Sequence, residues 1–141
     1  MSTTQANLDS LYRPLWLTYG LVPFLAGLDK FFNLLTYWPK YVSPTVAHLL
    51  PVSPQAFMYV VGVIEIAVGL MVLTRWTRLG AWIAAAWLGL IAVNLITLGL
   101  FDIAVRDLAM SVGAYTLARL AELRQESPVE APAASLRERR V

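Results

Sequence analysis

Cysteine is absent from this chain of 141 residues, and histidine occurs once, at His48. The lack of cysteine excludes disulfides, thiolate catalysis, cysteine-ligated iron–sulfur clusters and the attachment motif of c-type haem. A single histidine likewise excludes a histidine-rich metal site and a bis-histidine haem. We therefore predict no metal site, and the chain shows no evident cofactor-binding motif or ligand set that carries electrons.

Charge is also scarce, because charged residues make up 14% of the chain and hydrophobic residues make up 58%. A soluble domain has about 25% charged and about 45–50% apolar residues. The net charge is +2, and the basic residues lie at the ends of apolar segments without forming a nucleic-acid-binding cluster. The composition predicts an integral membrane protein that contacts the lipid bilayer and binds no nucleic acid.

Four apolar segments predict an all-α, four-helix transmembrane bundle over residues 13–123, after a polar N-terminus at 1–12 and before a disordered tail at 124–141. The predicted spans are residues 13–35, 55–74, 79–100 and 103–122. Residues 36–54 carry prolines and aromatics that favour an outer loop, with a short interfacial helix over 46–50. Such a loop is a candidate lid or partner surface. Four tryptophans are expected to be membrane anchors and lipid contacts, namely Trp16, Trp76, Trp82 and Trp87.

Arginines mark one end of the predicted bundle. In a four-span arrangement one membrane face carries Arg13, Arg75, Arg78, Arg119 and Arg124. The positive-inside rule therefore predicts that both termini are cytoplasmic.

Polar side chains from all four segments are predicted to meet in the outer half of the bilayer. At 1.5 Å per residue, Asp29 and Asn94 lie about 24 Å from the arginine-rich face, and Glu65 lies about 15 Å from it. A charge at the bilayer centre costs about 2.5–3.5 kcal/mol, so buried ionisable residues are usually paired and functional. The predicted ligand-binding residues are Asp29, Lys30, Glu65, Asn94, Arg106 and Asp107.

Glu65 is the predicted proton carrier of this group. It shares a helix face with Gly62 and Gly69, and small residues let helices approach closely in lipid, so its carboxyl group should point into a helix contact. The five charged residues of the group sum to −1 when all are ionised, so one buried acid is expected to hold a proton.

Purely structural interpretations of the same residues stay open. The adjacent residues Arg106 and Asp107 can form an ion pair that locks the bundle and faces the protein interior. A protonated Glu65 can donate to Asn94 or to a backbone carbonyl. Lys30 can extend to the outer membrane interface.

Three short motifs resemble the DoxX-like family of small bacterial four-helix membrane proteins, over about residues 13–122. They are Gly27-Leu28-Asp29-Lys30, Glu65-Ile66-Ala67-Val68-Gly69-Leu70 and Arg106-Asp107. The family includes quinone-reducing thiosulfate oxidoreductase subunits and a relative that supports disulfide formation during maturation of methylamine dehydrogenase. The resemblance implies a multi-pass protein of the bacterial inner membrane. It also implies a shared pocket lined by Asp29, Lys30, Glu65, Arg106 and Asp107, while the absence of cysteine argues against thiol exchange by this chain alone.

Three functions fit these observations, and the sequence leaves open whether the chain is an enzyme. The first is an accessory subunit of a quinone-linked redox system, in which Glu65 or Asp29 supplies protons and Arg106 stabilises negative charge. Electrons would come from a soluble oxidoreductase, another membrane subunit or a bound flavin. The second is a small-solute or proton-coupled carrier or channel component, which with four helices would need a homo-oligomer. The third is a structural assembly factor.

Overall fold

The computed structural model describes residues 3–126 of the chain, and these residues form an all-α structure. Four long helices occupy the regions of the four predicted spans, and a short helix lies in the predicted outer loop. The helices are α1 Thr3–Asp29, α2 Pro44–Leu49, α3 Pro54–Leu73, α4 Thr77–Thr97 and α5 Phe101–Glu126, with a 3₁₀ helix at Trp38–Tyr41. Residues 124–126 of the predicted tail belong to α5, and the rest of that tail lies outside the described residues.

Helix α1 lies closer to the N-terminus than the predicted first span. It begins at Thr3, within the segment predicted to be a polar N-terminus, and it ends at Asp29 rather than near residue 35. The cause of the early end is local, because Asp29 accepts hydrogen bonds from the next turn of backbone and Asn33 adopts a left-handed conformation at φ 53°. A positive φ at a non-glycine residue, most often asparagine or aspartate, is incompatible with continued right-handed helix.

The four long helices form a closed ring of contacts. Helix α1 packs on α3, α3 on α4, α4 on α5, and α5 returns to α1. The α1–α3 contact is close, because a Cβ atom added to Gly62 would lie 2.6 Å from the carbonyl oxygen of Gly27. Glycine at such positions permits an approach that any side chain would block. The prediction that the Gly62–Glu65–Gly69 face of α3 enters a helix contact is confirmed.

Small residues also form the core between α4 and α5. Ala81 and Ala84 of α4 and Ala114 and Ala118 of α5 are almost completely buried, together with Leu117. Alanine combines high helix propensity with a small side chain, so it lets two long helices pack side by side.

Two helices of the described region, α3 and α4, are long and apolar enough to cross a membrane by length and composition. Both also expose apolar side chains on the surface of the bundle, such as Val60, Val63, Leu90 and Val93. Exposed apolar patches of this extent are characteristic of a surface that contacts lipid. Helices α1 and α5 are interrupted by charged residues and do not meet the same criterion.

Candidate functional site

A cavity of about 790 Å³ lies among the four long helices and the loop between α1 and α3. Its volume falls in the range of small-molecule and cofactor sites, which are about 300–1,000 Å³ and mostly apolar with a few polar groups. Apolar side chains supply most of its walls, including Val22, Phe57, Val61, Val68, Leu88, Leu95 and Ile103.

Five of the six predicted ligand-binding residues line this cavity, namely Lys30, Glu65, Asn94, Arg106 and Asp107. The sixth, Asp29, is not among its lining residues. Two positive and two negative side chains therefore face the cavity, and their formal charges cancel when all are ionised. The predicted excess of one negative charge arose from counting Asp29 in the same group, so charge balance does not require a resting proton on Glu65.

Lys30 and Glu65 form a buried ion pair at the centre of the site. The Lys30 Nζ atom lies 2.5 Å from Glu65 Oε2, and the two residues are only 3% and 8% exposed. The ammonium group also lies 3.7 Å from the centroid of the Trp38 ring, which is a cation–π contact. The alternative in which Lys30 extends to the membrane interface is therefore wrong, and Glu65 accepts a hydrogen bond from Lys30 instead of donating one to Asn94.

Asp29 faces the loop after α1 and organises it. Its Oδ1 accepts the N–H of Leu34 at 3.0 Å, and its Oδ2 accepts the N–H of Leu35 at 3.0 Å and the indole N–H of Trp38 at 2.8 Å. These bonds hold the Trp38 ring against Lys30, so Trp38 becomes a wall of the cavity. Asp29 thus shapes the site through Trp38 without lining it.

Asn94 fixes the same loop to α4. Its Nδ2 donates to the carbonyl oxygen of Tyr41 at 2.6 Å, and its Oδ1 accepts the N–H of Ser43 at 3.2 Å. The Ser43 side chain caps α2 by accepting the N–H of Val46, and Ser43 is 1% exposed. Because both ends of the Asn94 amide bind loop backbone, this residue closes the cavity on the loop side.

Arg106 and Asp107 lie on α5 at the edge of the cavity and form no ion pair with each other or with another described residue. Adjacent positions on a helix do not face each other, so direct pairing is geometrically disfavoured. Asp107 is half-buried, whereas Arg106 is exposed, so the expectation that Arg106 is enclosed by the protein is wrong. The guanidinium group remains free to interact with whatever occupies the cavity.

Trp87 lines the cavity, although the sequence predicts that it contacts lipid. Its indole N–H is buried beside the Glu65 carboxylate and is at most a weak donor to it, because no described acceptor lies in the geometry of a full hydrogen bond. A buried donor without a well-aligned acceptor is costly and is rare in native structures. The available signal was its position on α4, because Trp87 and Asn94 are two turns apart and share a helix face.

These residues suit an apolar molecule with hydrogen-bond acceptors. Lys30 and Trp87 supply N–H donors, Glu65 and Asp107 can take up or release protons, and Arg106 supplies a fixed positive charge. Within residues 3–126, no group of three or more His, Asp or Glu side chains gathers in a way that could hold a metal ion.

The DoxX family model matches residues 15–101, which is more than half of the chain. The chain belongs to the DoxX family. It is therefore a membrane protein, in agreement with its two apolar helices α3 and α4. The match includes Lys30, Glu65, Trp87 and Asn94 but ends before Arg106 and Asp107.

No curated protein and no solved structure matches the chain significantly.

Proposed function

We propose that this DoxX family protein is a quinone-binding accessory subunit of a membrane redox system, inserted as a four-span protein in the bacterial inner membrane with both termini cytoplasmic. The observation that carries the proposal is the apolar cavity in which a buried, weakly satisfied indole N–H lies beside an ion pair. A quinone is an apolar ring with carbonyl acceptors, so the cavity supplies both the surface and the donors that it needs.

Different cavity residues would contact different parts of a quinone. The apolar walls, including Val61 and Val68, would hold the ring, and the Trp87 indole and the Lys30 ammonium would donate to its carbonyl oxygens. A ligand carbonyl in line with the Trp87 N–H would give this weakly satisfied donor a well-aligned acceptor, and only a ligand that carries an acceptor can supply that gain.

Quinone reduction requires a source of protons and stabilisation of negative charge, and the charged residues of the cavity can supply both. A bound quinone accepts two electrons and two protons to become a quinol. Glu65 and Asp107 can deliver protons into the cavity, and the Arg106 guanidinium can stabilise negative charge there. The electrons come from a partner, for which we propose a soluble oxidoreductase or a second membrane subunit.

Quinone binding can be tested by titrating the purified full-length chain in detergent with ubiquinone-1 and following tryptophan fluorescence. We expect saturable quenching in the wild type, and binding weakened about fivefold in Trp87→Phe, since the lost bond is worth about 1 kcal/mol. Trp38 also lines the cavity and keeps the signal measurable in this variant. Trp76 is exposed in the α3–α4 turn, so Trp76→Phe is the matched control and should bind as the wild type does.

Equal affinities in the two tryptophan variants, or quenching that rises linearly without saturation, would contradict the proposal. Linear quenching is what simple partition of the quinone into the detergent micelle produces. The redox role has a separate test, which is co-purification of a soluble oxidoreductase with the chain and loss of quinone-dependent activity in Glu65→Gln. The activity is compared per amount of folded protein, because this variant also breaks the buried ion pair with Lys30. If the activity survives in that variant, Glu65 is not the proton carrier.

A further inference from the structure

A second cleft lies at the opposite end of the bundle from the loop that covers the cavity. Its volume is about 330 Å³, and it is formed where the N-terminal part of α1, the α3–α4 turn and the end of α5 meet. The lining residues are Tyr12, Thr74, Arg75, Thr77, Ala121, Arg124 and Gln125. None of them is acidic, and two are arginines.

Arg124 is held in place while part of its guanidinium group stays unpaired. Its Nη2 lies 2.8 Å from Asp9 Oδ1, and its Cζ lies 4.0 Å from the centroid of the Tyr12 ring. The Nε–H is buried and has no acceptor among the described residues. The stacking and the ion pair orient the planar group, and an oriented guanidinium loses less entropy when it binds an anion.

Arg75 adds a second positive charge from the α3–α4 turn. It is exposed and makes no ion pair within residues 3–126. Counting Asp9, the charges around the cleft sum to +1, so an added anion is electrostatically favourable. Thr77 begins α4 at the same place, and the N-cap residue of this helix provides no side-chain hydrogen bond. The uncapped helix N-terminus reinforces the preference for an anion that the two arginines establish.

The position of the cleft relative to the membrane indicates the source of this anion. The turn that carries Arg75 joins α3 and α4, the two helices that are apolar enough to cross a membrane. The end of a membrane span lies at the headgroup level, where the phosphate groups of lipids are concentrated.

We propose that this cleft binds a phosphate group through Arg75 and Arg124, as the phosphodiester of an anionic phospholipid. Guanidinium groups bind phosphate oxygens through paired N–H donors, and this geometry distinguishes a specific site from general attraction to a negative surface. Arg78 offers a direct comparison, because it is exposed one turn further along the chain but does not line the cleft.

The test measures the melting temperature of the full-length chain in detergent during titration with phosphatidylglycerol, phosphatidylcholine or inorganic phosphate. We expect phosphatidylglycerol to raise the melting temperature saturably and phosphatidylcholine to have a much smaller effect. Arg75→Gln should raise the half-saturating concentration of phosphatidylglycerol about tenfold, because a charge-assisted hydrogen bond is lost. Arg78→Gln should leave it unchanged.

Arg75→Lys provides a second variant that keeps the charge and removes the paired donors, so it should also weaken the response. If inorganic phosphate gives the same dependence on Arg75, the site recognises phosphate and takes it from solution. If Arg75→Gln and Arg78→Gln weaken the response equally, or if neither phosphatidylglycerol nor phosphate stabilises the wild type, the proposal is overturned. Quinone binding depends on other residues, so either proposal can fail without the other.

Discussion

Among single residues, Lys30 is the one whose surroundings matter most for both protein stability and the electrostatics of the cavity. It is nearly fully buried, pairs with Glu65 and contacts the face of Trp38, whose indole N–H is held by Asp29. A charge in an apolar interior is tolerated only when a partner compensates it. The stability of the protein and the electrostatics of the cavity therefore depend on the same contact.

Removal of one partner of this pair should be much more damaging than removal of both. Lys30→Met leaves the Glu65 carboxylate buried without its ion-pair partner, and we expect a loss of about 3–5 kcal/mol in the free energy of unfolding. The double variant Lys30→Met/Glu65→Leu should recover a large part of this loss, because no buried charge remains. Unfolding in detergent measures the cycle, with Lys40→Met as the control at an exposed lysine. Strictly additive effects would show that the two side chains do not interact.

Among the helices, the packing of α1 on α3 positions the site. Gly27 and Gly62 meet at this contact. Glu65 follows Gly62 by three residues on the same face of α3, and Lys30 follows Gly27 by three residues, directly after the end of α1. The close backbone approach brings the two side chains within ion-pair distance. The glycines are thus structural residues with a direct consequence for the cavity.

A methyl group at this contact should separate the two helices. In Gly62→Ala the new Cβ would lie 2.6 Å from the Gly27 carbonyl oxygen, and overpacking of this kind costs about 1–3 kcal/mol. Gly89 of α4 is the matched control, because its added Cβ would meet only Ser111 Oγ at 3.9 Å. Gly89→Ala should be neutral or stabilising by up to about 1 kcal/mol, since alanine has the higher helix propensity. Melting temperatures that fall equally in both variants would contradict this account of the α1–α3 contact.

The sequence predicts the elements better than it predicts the contacts between them. Hydropathy and proline spacing identify the long helices and the loop, and glycine spacing identifies the buried face of α3. The pairing of Lys30 with Glu65 depends on the helix crossing, and the capture of Trp38 by Asp29 depends on a left-handed turn at Asn33. Neither the crossing nor the turn follows from hydropathy or proline spacing, so the sequence predicts Asp29 in the cavity. The prediction of Trp87 as a lipid contact has another cause, because its shared helix face with Asn94 does not by itself show whether that face points to the cavity.

In the whole molecule, the two clefts lie at opposite ends of one bundle. The cavity is closed by the loop that contains α2, and the arginine-lined cleft lies beside the α3–α4 turn and the end of α5. Our proposal that both termini are cytoplasmic places the arginine-lined cleft at the inner face and the covered cavity toward the outer face.

The absence of native cysteine makes this orientation simple to test, because a single introduced cysteine is the only thiol in the chain. Thr45 of α2 and Ser10 of α1 are both exposed. The labelling uses cells in which a reagent can reach the outer face of the inner membrane but cannot cross that membrane. In such cells a membrane-impermeant maleimide should label Thr45→Cys. It should label Ser10→Cys only after the membrane is permeabilised. The reverse pattern would place the cavity end in the cytoplasm.

The central claim is that the 790 Å³ cavity is the binding site of an apolar, acceptor-bearing ligand. Val22 and Leu21 provide a direct test, since they are adjacent and similarly exposed at 48% and 44%, but only Val22 lines the cavity. In the ubiquinone-1 titration, Val22→Trp should fill part of the cavity and weaken binding about tenfold or more, as the loss of roughly 1.4 kcal/mol of binding energy requires. Leu21→Trp should bind as the wild type does. Equal affinities for Val22→Trp, Leu21→Trp and the wild type would show that quinone does not bind in this cavity.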